Sequence, residues 1–189
     1  MARASLLGII GLLGGCSSGH GTSGPAPGER CEQGNWLSTK MVAPPQAGIS
    51  GSTPTGGGDG AAISLAADST FFVNFSEMRA ATASFKTGGQ AAVLSVMFAG
   101  IGKGQWKADP SGTVSASFTD LTTARAMATI TLGTTEPPIF DSTLQQIDDQ
   151  MMLGNAHMGI FKVARCAGSA MTMTTDFPGG TLTIDAKRA

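Results

Sequence analysis

A chain of 189 residues with a net charge of −1 and 13% charged side chains has room for one ordinary domain beside any processing segments. That balance excludes a non-specific nucleic-acid binder, which needs a basic footprint to neutralise phosphates, and equally an acidic solvating tail. Apolar residues at 41% together with 27 glycines favour short strands and tight turns over long helices. Aromatics are scarce, with two Trp, nine Phe and no Tyr, and ten Met partly replace them as adaptable core filler.

In chain order, the first feature is Arg3 followed by an apolar run from Leu6 to Leu13, closed by Leu13-Gly14-Gly15-Cys16. The run is too short to span a hydrocarbon core of roughly 30 Å as a helix. The closing residues resemble the lipobox of bacterial lipoproteins: a Leu-type residue at −3, two small residues, then Cys. That resemblance implies a signal peptide over 1–15 and lipid attachment at Cys16. The diacylglycerol of such a linkage supplies two chains, whereas one chain binds membranes only reversibly. An ordinary cleaved signal peptide and a buried N-terminal helix are the alternatives. Residues 16–30 are rich in Gly, Ser and Pro, as a flexible tether should be, and the folded domain is expected over 31–189. Its expected place is the cell envelope, outside the cytoplasm and lipid-anchored to the outer face of the cell membrane.

Three cysteines occur: Cys16, Cys31 and Cys166. If Cys16 carries lipid, Cys31 and Cys166 remain as a pair, and disulfides persist in an extracytoplasmic compartment. A Cys31–Cys166 disulfide would tie the first strand region to the penultimate one; two buried free thiols are the alternative.

Gln33 to Val42 reads as a first strand, and Gln46 to Gly60 as a Gly, Ser, Thr and Pro loop. A period of two then sets in. Ile63 and Leu65 alternate with Ala62 and Ser64, and Phe71, Val73 and Phe75 alternate with Phe72 and Asn74, with a hairpin turn at Asp68-Ser69. Ala81 to Phe85 is a further strand candidate before a Gly88-Gly89 turn. Ala91 to Ile101, the most continuously apolar stretch after the signal, is expected to be a buried strand. Gly104 to Lys107 leads to a turn at Asp109-Pro110-Ser111-Gly112, and Val114, Ala116 and Phe118 should pair back. Ala126, Ala128, Ile130 and Leu132 then share one strand face.

Beyond Pro137-Pro138, Ser142 and Gln145 form a capping-box pattern, with Leu144, Ile147 and Met151 at helical spacing and Gly154 placed to end the helix. One short helix is therefore expected near 143–153, closing an end of the sheet or lying against its outside. His157 to Cys166, Met171 with Met173, and Leu182 with Ile184 complete the strand candidates. About eight strands at regular spacing imply an all-β domain: an antiparallel up-and-down β-barrel or a strongly curled sheet.

Gly34-Asn35-Trp36 opens the folded part and Arg188 ends it. This pairing resembles the calycin arrangement of lipocalins, in which a G-x-W Trp sits at the barrel base under an Arg from the last strand. Physically it combines indole burial with a cation–π contact. With the lipobox, tether and late Cys, the chain resembles small actinobacterial lipoproteins of lipocalin-like type. An ordinary core or edge role for Trp36 is the alternative.

Several motifs carry no chemistry. Gly100-Ile101-Gly102-Lys103-Gly104 lacks the phosphate-loop spacing and its hydroxyl. Asn74-Phe75-Ser76 matches a glycosylation acceptor but lies in a strand. Asp141, Asp148 and Asp149 lack calcium-loop spacing. The run of Met151, Met152, Met158, Met171 and Met173 suits core or cavity lining better than copper. His20 and His157 are too few for a zinc site, and only a pocket gathering His157 with Asp120 or Asp176 would suggest catalysis. No metal, cofactor, nucleic acid or enzymatic activity is expected. The leading expectation is a membrane-anchored lipoprotein binding a small apolar or lipid-like ligand in a β-barrel. The alternative is a structural or interaction lipoprotein with a filled barrel and no ligand.

Overall fold

The computed structural model describes residues 30–42, 51–111, 113–152, 160–177 and 180–189. The expected signal peptide with Cys16, nearly all of the expected tether, Gly154, His157 and Met158 lie outside the described residues. The strands are β1 (Gly34–Val42), β2 (Thr53–Gly56), β3 (Ala62–Leu65), β4 (Thr70–Asn74), β5 (Ala81–Thr87) and β6 (Gln90–Ala99). They continue as β7 (Ile101–Ala108), β8 (Val114–Asp120), β9 (Arg125–Leu132), β10 (Pro138–Thr143), β11 (Ile160–Ala167), β12 (Ala170–Phe177) and β13 (Gly180–Arg188). One helix, α1 (Leu144–Met152), joins them.

Eight strands close an antiparallel barrel in the order β1-β13-β12-β11-β8-β7-β4-β3. Barrel neighbours follow one another along the chain once β2, β5, β6, β9 and β10 are set aside, so the barrel is up-and-down. Alternation explains the core. Ile63, Leu65, Phe71 and Val73 face inward and are buried, as do Met171, Met173, Ile184 and Ala186 from the opposite wall. The small-residue strands contribute Val114 and Ala116, which let the walls approach closely.

The remaining five strands form a second sheet in the order β10-β9-β6-β5-β2. It is an outward continuation of the barrel wall. β6 passes into β7 across the single residue Gly100, and β8 reaches β9 through the 121–124 turn. Gly100 has φ +78°, and a Cβ there would overlap the Thr123 carbonyl oxygen. Only glycine turns the strand at that point without a clash. Both edges of this apron, β2 and β10, contain a proline, Pro54 and Pro138, which blunts an edge against further pairing.

Three expectations need correction. Ala91 to Ile101 is not a buried strand: in β6 only Ala92 is buried, while Val93 and Met97 are 38% and 41% exposed. The apolar run extends past the barrel into the apron, where no second layer of described residues covers that face. The 46–60 stretch is not wholly loop, because β2 pairs with β5 within it. The helix is capped one residue later than Ser142. The Thr143 hydroxyl accepts from the Gln146 amide at 3.2 Å, and the Gln146 side chain accepts from the Thr143 amide at 3.1 Å, so the reciprocal box belongs to Thr143 and Gln146.

Carboxylates shape the turns. Asp68 accepts from the hydroxyl and amide of Thr70 at 2.7 and 3.0 Å, and Asp120 accepts from those of Thr122 at 2.6 and 3.0 Å. Asn74 likewise accepts from the Ser76 amide at 2.9 Å, so its side chain serves a turn. The Thr70 and Thr122 hydroxyls, then their amides, hold the Asp68 and Asp120 carboxyls below the usual carboxylate value. A lowered folded-state pKa adds stability that is present above the unfolded value of about 4 and is lost as pH falls through the lower folded value. Thermal midpoints taken from about pH 5 down to about pH 2 should therefore fall. In the D68N/D120N variant, which keeps both acceptors but cannot titrate, part of that slope should vanish; an unchanged slope would refute the assignment.

Candidate functional site

Among the described residues the barrel has a closed end and an opposite, open one. The β3–β4, β7–β8 and β11–β12 turns mark the closed end, where Trp36 is fully buried. Trp36 and Arg188 are register partners on β1 and β13, and the guanidinium lies 4.7 Å from the indole centroid. Arg188 also donates to the Cys31 carbonyl at 2.8 Å and the Gln33 carbonyl at 3.2 Å. Gly34 has φ +129°, and a Cβ there would stand 2.7 Å from the Arg188 guanidinium. The glycine of the G-x-W triplet therefore makes room for the arginine. Cys31 and Cys166 form the expected disulfide, which fastens the segment leading into β1 to β11. Trp106 completes the plug, its indole N–H donating to the Ala66 carbonyl at 2.8 Å.

Above the plug a cavity of about 50 Å³ opens toward the apron. Five of the nine phenylalanines line it: Phe71, Phe75, Phe98, Phe118 and Phe161. The Phe71 and Phe118 centroids are 5.0 Å apart, and Phe118 meets Phe161 edge-on at 5.7 Å, spacings at which aromatic pairs attract. Gly102 explains how Phe118 fits. A Cβ at Gly102 would strike the Phe118 ring, so the glycine-rich 100–104 stretch serves packing. Leu144, at the start of α1, reaches into the lining, and its amide donates to the Ala124 carbonyl at 2.8 Å. The start of the helix therefore contributes to the wall at this end.

Two polar side chains are buried among the described residues, Ser38 and Thr175. They are treated differently. The Ser38 hydroxyl donates to the Gly58 carbonyl at 2.9 Å and accepts from the Ala61 amide at 2.8 Å. This bond pair pins the 57–61 segment to β1. Thr175, 3% exposed, lines the cavity, and its hydroxyl has no hydrogen-bond partner. Leaving such a group unsatisfied costs about 1–3 kcal/mol.

No family model, curated protein or solved structure matches this chain.

The other sequence candidates are scattered. Asp141 is paired with Arg125 at 2.8 Å on the apron, and Asp149 accepts from the Gln145 side chain at 2.9 Å. Among the described residues no group of three or more His, Cys, Asp or Glu could hold a metal. Met171 and Met173 are packed in the core. No described helix is long and apolar enough to cross a membrane. Sequence reasoning missed the aromatic lining and Thr175. The available signal was register: Thr175 continues the inward series Met171, Met173, so a hydroxyl had to face the interior.

Proposed function

We propose that the barrel holds a small apolar molecule, or the end of a lipid-like chain, in the phenylalanine-lined cavity at its open end. One observation carries the reading: the cavity stands above a sealed base, and every lining residue except Thr175 is apolar. At about 50 Å³ it is well below the roughly 150 Å³ of an engineered apolar cavity that accepts benzene. A guest must therefore be slim, or must displace part of the wall, such as the Leu144 side chain. A longer chain has somewhere to go. Phe98 belongs to the cavity lining, and Val96 and Leu94 continue its face along β6, half-buried beside Ala128 and Ile130.

The same volume favours a second reading, in which the barrel is filled by its own side chains and acts as a structural or interaction module. For both readings we place the protein outside the cytoplasm, lipid-anchored at Cys16. The lipobox-like pattern supports this placement, and the disulfide is consistent with an oxidising compartment.

Mass spectrometry of the protein purified from its own cell envelope tests these points together. The N-terminal peptide of the mature chain should begin at Cys16 and carry the mass of a diacylglycerol. Under native conditions a non-covalent apolar guest should accompany the folded protein. A guest-free spectrum, repeated after incubation with envelope lipid extract, would overturn ligand binding and leave the filled barrel; an unmodified Cys16 would overturn the anchor.

A further inference from the structure

We infer that Thr175 is a ligand-binding residue and that it sets the chemical class of the guest: a neutral, mainly apolar molecule with one hydrogen-bonding oxygen. The inference rests on the cavity reading above and adds to it. The fold satisfies its other buried hydroxyl, Ser38, twice over; the other buried side-chain atom without a partner among the described residues, Arg188 Nε, lies at the closed end beside Trp36 and outside the cavity lining. The Thr175 hydroxyl lacks a partner in a lining that offers no other polar side chain. A guest bearing an alcohol, ketone or ester oxygen would supply that partner, because a hydroxyl both donates and accepts. A charged guest is excluded by the same lining. Among the described residues no cation or anion faces the space, and an ion there would be desolvated without compensation.

The register gives the position. Thr175 pairs with Phe161 on one side and Leu182 on the other, one inward step from Met173 toward the open end. The oxygen of the guest would therefore sit at the upper ring of the cavity. Its apolar part would lie against Met173 and the phenylalanines below, or run outward along Phe98.

The test compares 1-pentanol with n-pentane, slim chains suited to the narrow cavity, titrated by NMR into the folded protein, in the wild type and in T175V. Valine keeps the shape and removes the hydroxyl. In the wild type the alcohol should gain from its bond, and in T175V the affinity ratio of alcohol to alkane should fall about five-fold. The alkane itself should bind T175V at least as well. T175S, which keeps the hydroxyl, should retain the wild-type ratio and covers the case in which T175V does not fold. A ratio unchanged in T175V would overturn the role of Thr175 and leave the cavity reading standing. Failure of both probes to bind the wild type would overturn the cavity reading and this inference with it.

Discussion

Replacing Trp36 by alanine should cost about 3–5 kcal/mol, as for a large aromatic removed from a packed core, and should lower the thermal midpoint by about 10 °C. Three effects add. The indole is fully buried, so its whole surface is returned to water in the unfolded chain. Its ring supports the Arg188 guanidinium at 4.7 Å. Its N–H donates to the Glu32 carbonyl at 2.9 Å. Trp36→Phe separates these, keeping most of the burial while losing the N–H bond, and should cost about half as much or less. Trp106 remains as the fluorescent reporter in both variants. A loss below about 1 kcal/mol for the alanine variant would show that the closed end contributes little to the core.

Removing the disulfide is expected to have the second large effect. Cys31 and Cys166 are separated by 135 residues, and closing so long a loop reduces unfolded-chain entropy by an amount equivalent to about 5 kcal/mol in the chain-entropy model, with about 2–4 typical of measured bridges. The C31S/C166S variant, or the wild type with reductant, should unfold at least 5 °C lower. The loss should be non-additive with R188A, because Arg188 is bonded to the carbonyl of Cys31 itself, and residues in one network couple. Equal unfolding midpoints with and without reductant would refute a stabilising role for the bridge.

The barrel was legible where the chain alternates strictly. Ile63 with Leu65, Phe71 with Val73, and Met171 with Met173 each assign an inward face, and a period of two admits no other reading of them. Trp36, Arg188 and the Cys31–Cys166 pair were legible for a different reason. They are rare residues whose burial or pairing has few solutions. The apron was not legible. Its strands alternate as the barrel strands do, since Ala126 and Ala128 look no different from Val114 and Ala116, and alternation names a face without naming the layer that covers it. The turn at Gly100 decides the matter, and that turn depends on the contact with Thr123, twenty-three residues away. The cavity was hidden for a related reason. Its volume is set by how Phe118 settles over Gly102, a fit that no spacing rule reports.

The Trp36–Arg188 pairing has a consequence in time. β1 meets β3 across about thirty residues of chain, yet its other neighbour, β13, is the last of the described strands in chain order. Contacts of such sequence separation form late and slow folding. The seam between β1 and β13 is therefore the final join, and the indole waits uncovered until residue 188 arrives. Cys31 waits too, as a free thiol, until Cys166 is out and β11 is in place. A chain halted before β11 would present two bare strand edges and a reduced cysteine, the features that attract aggregation and thiol exchange.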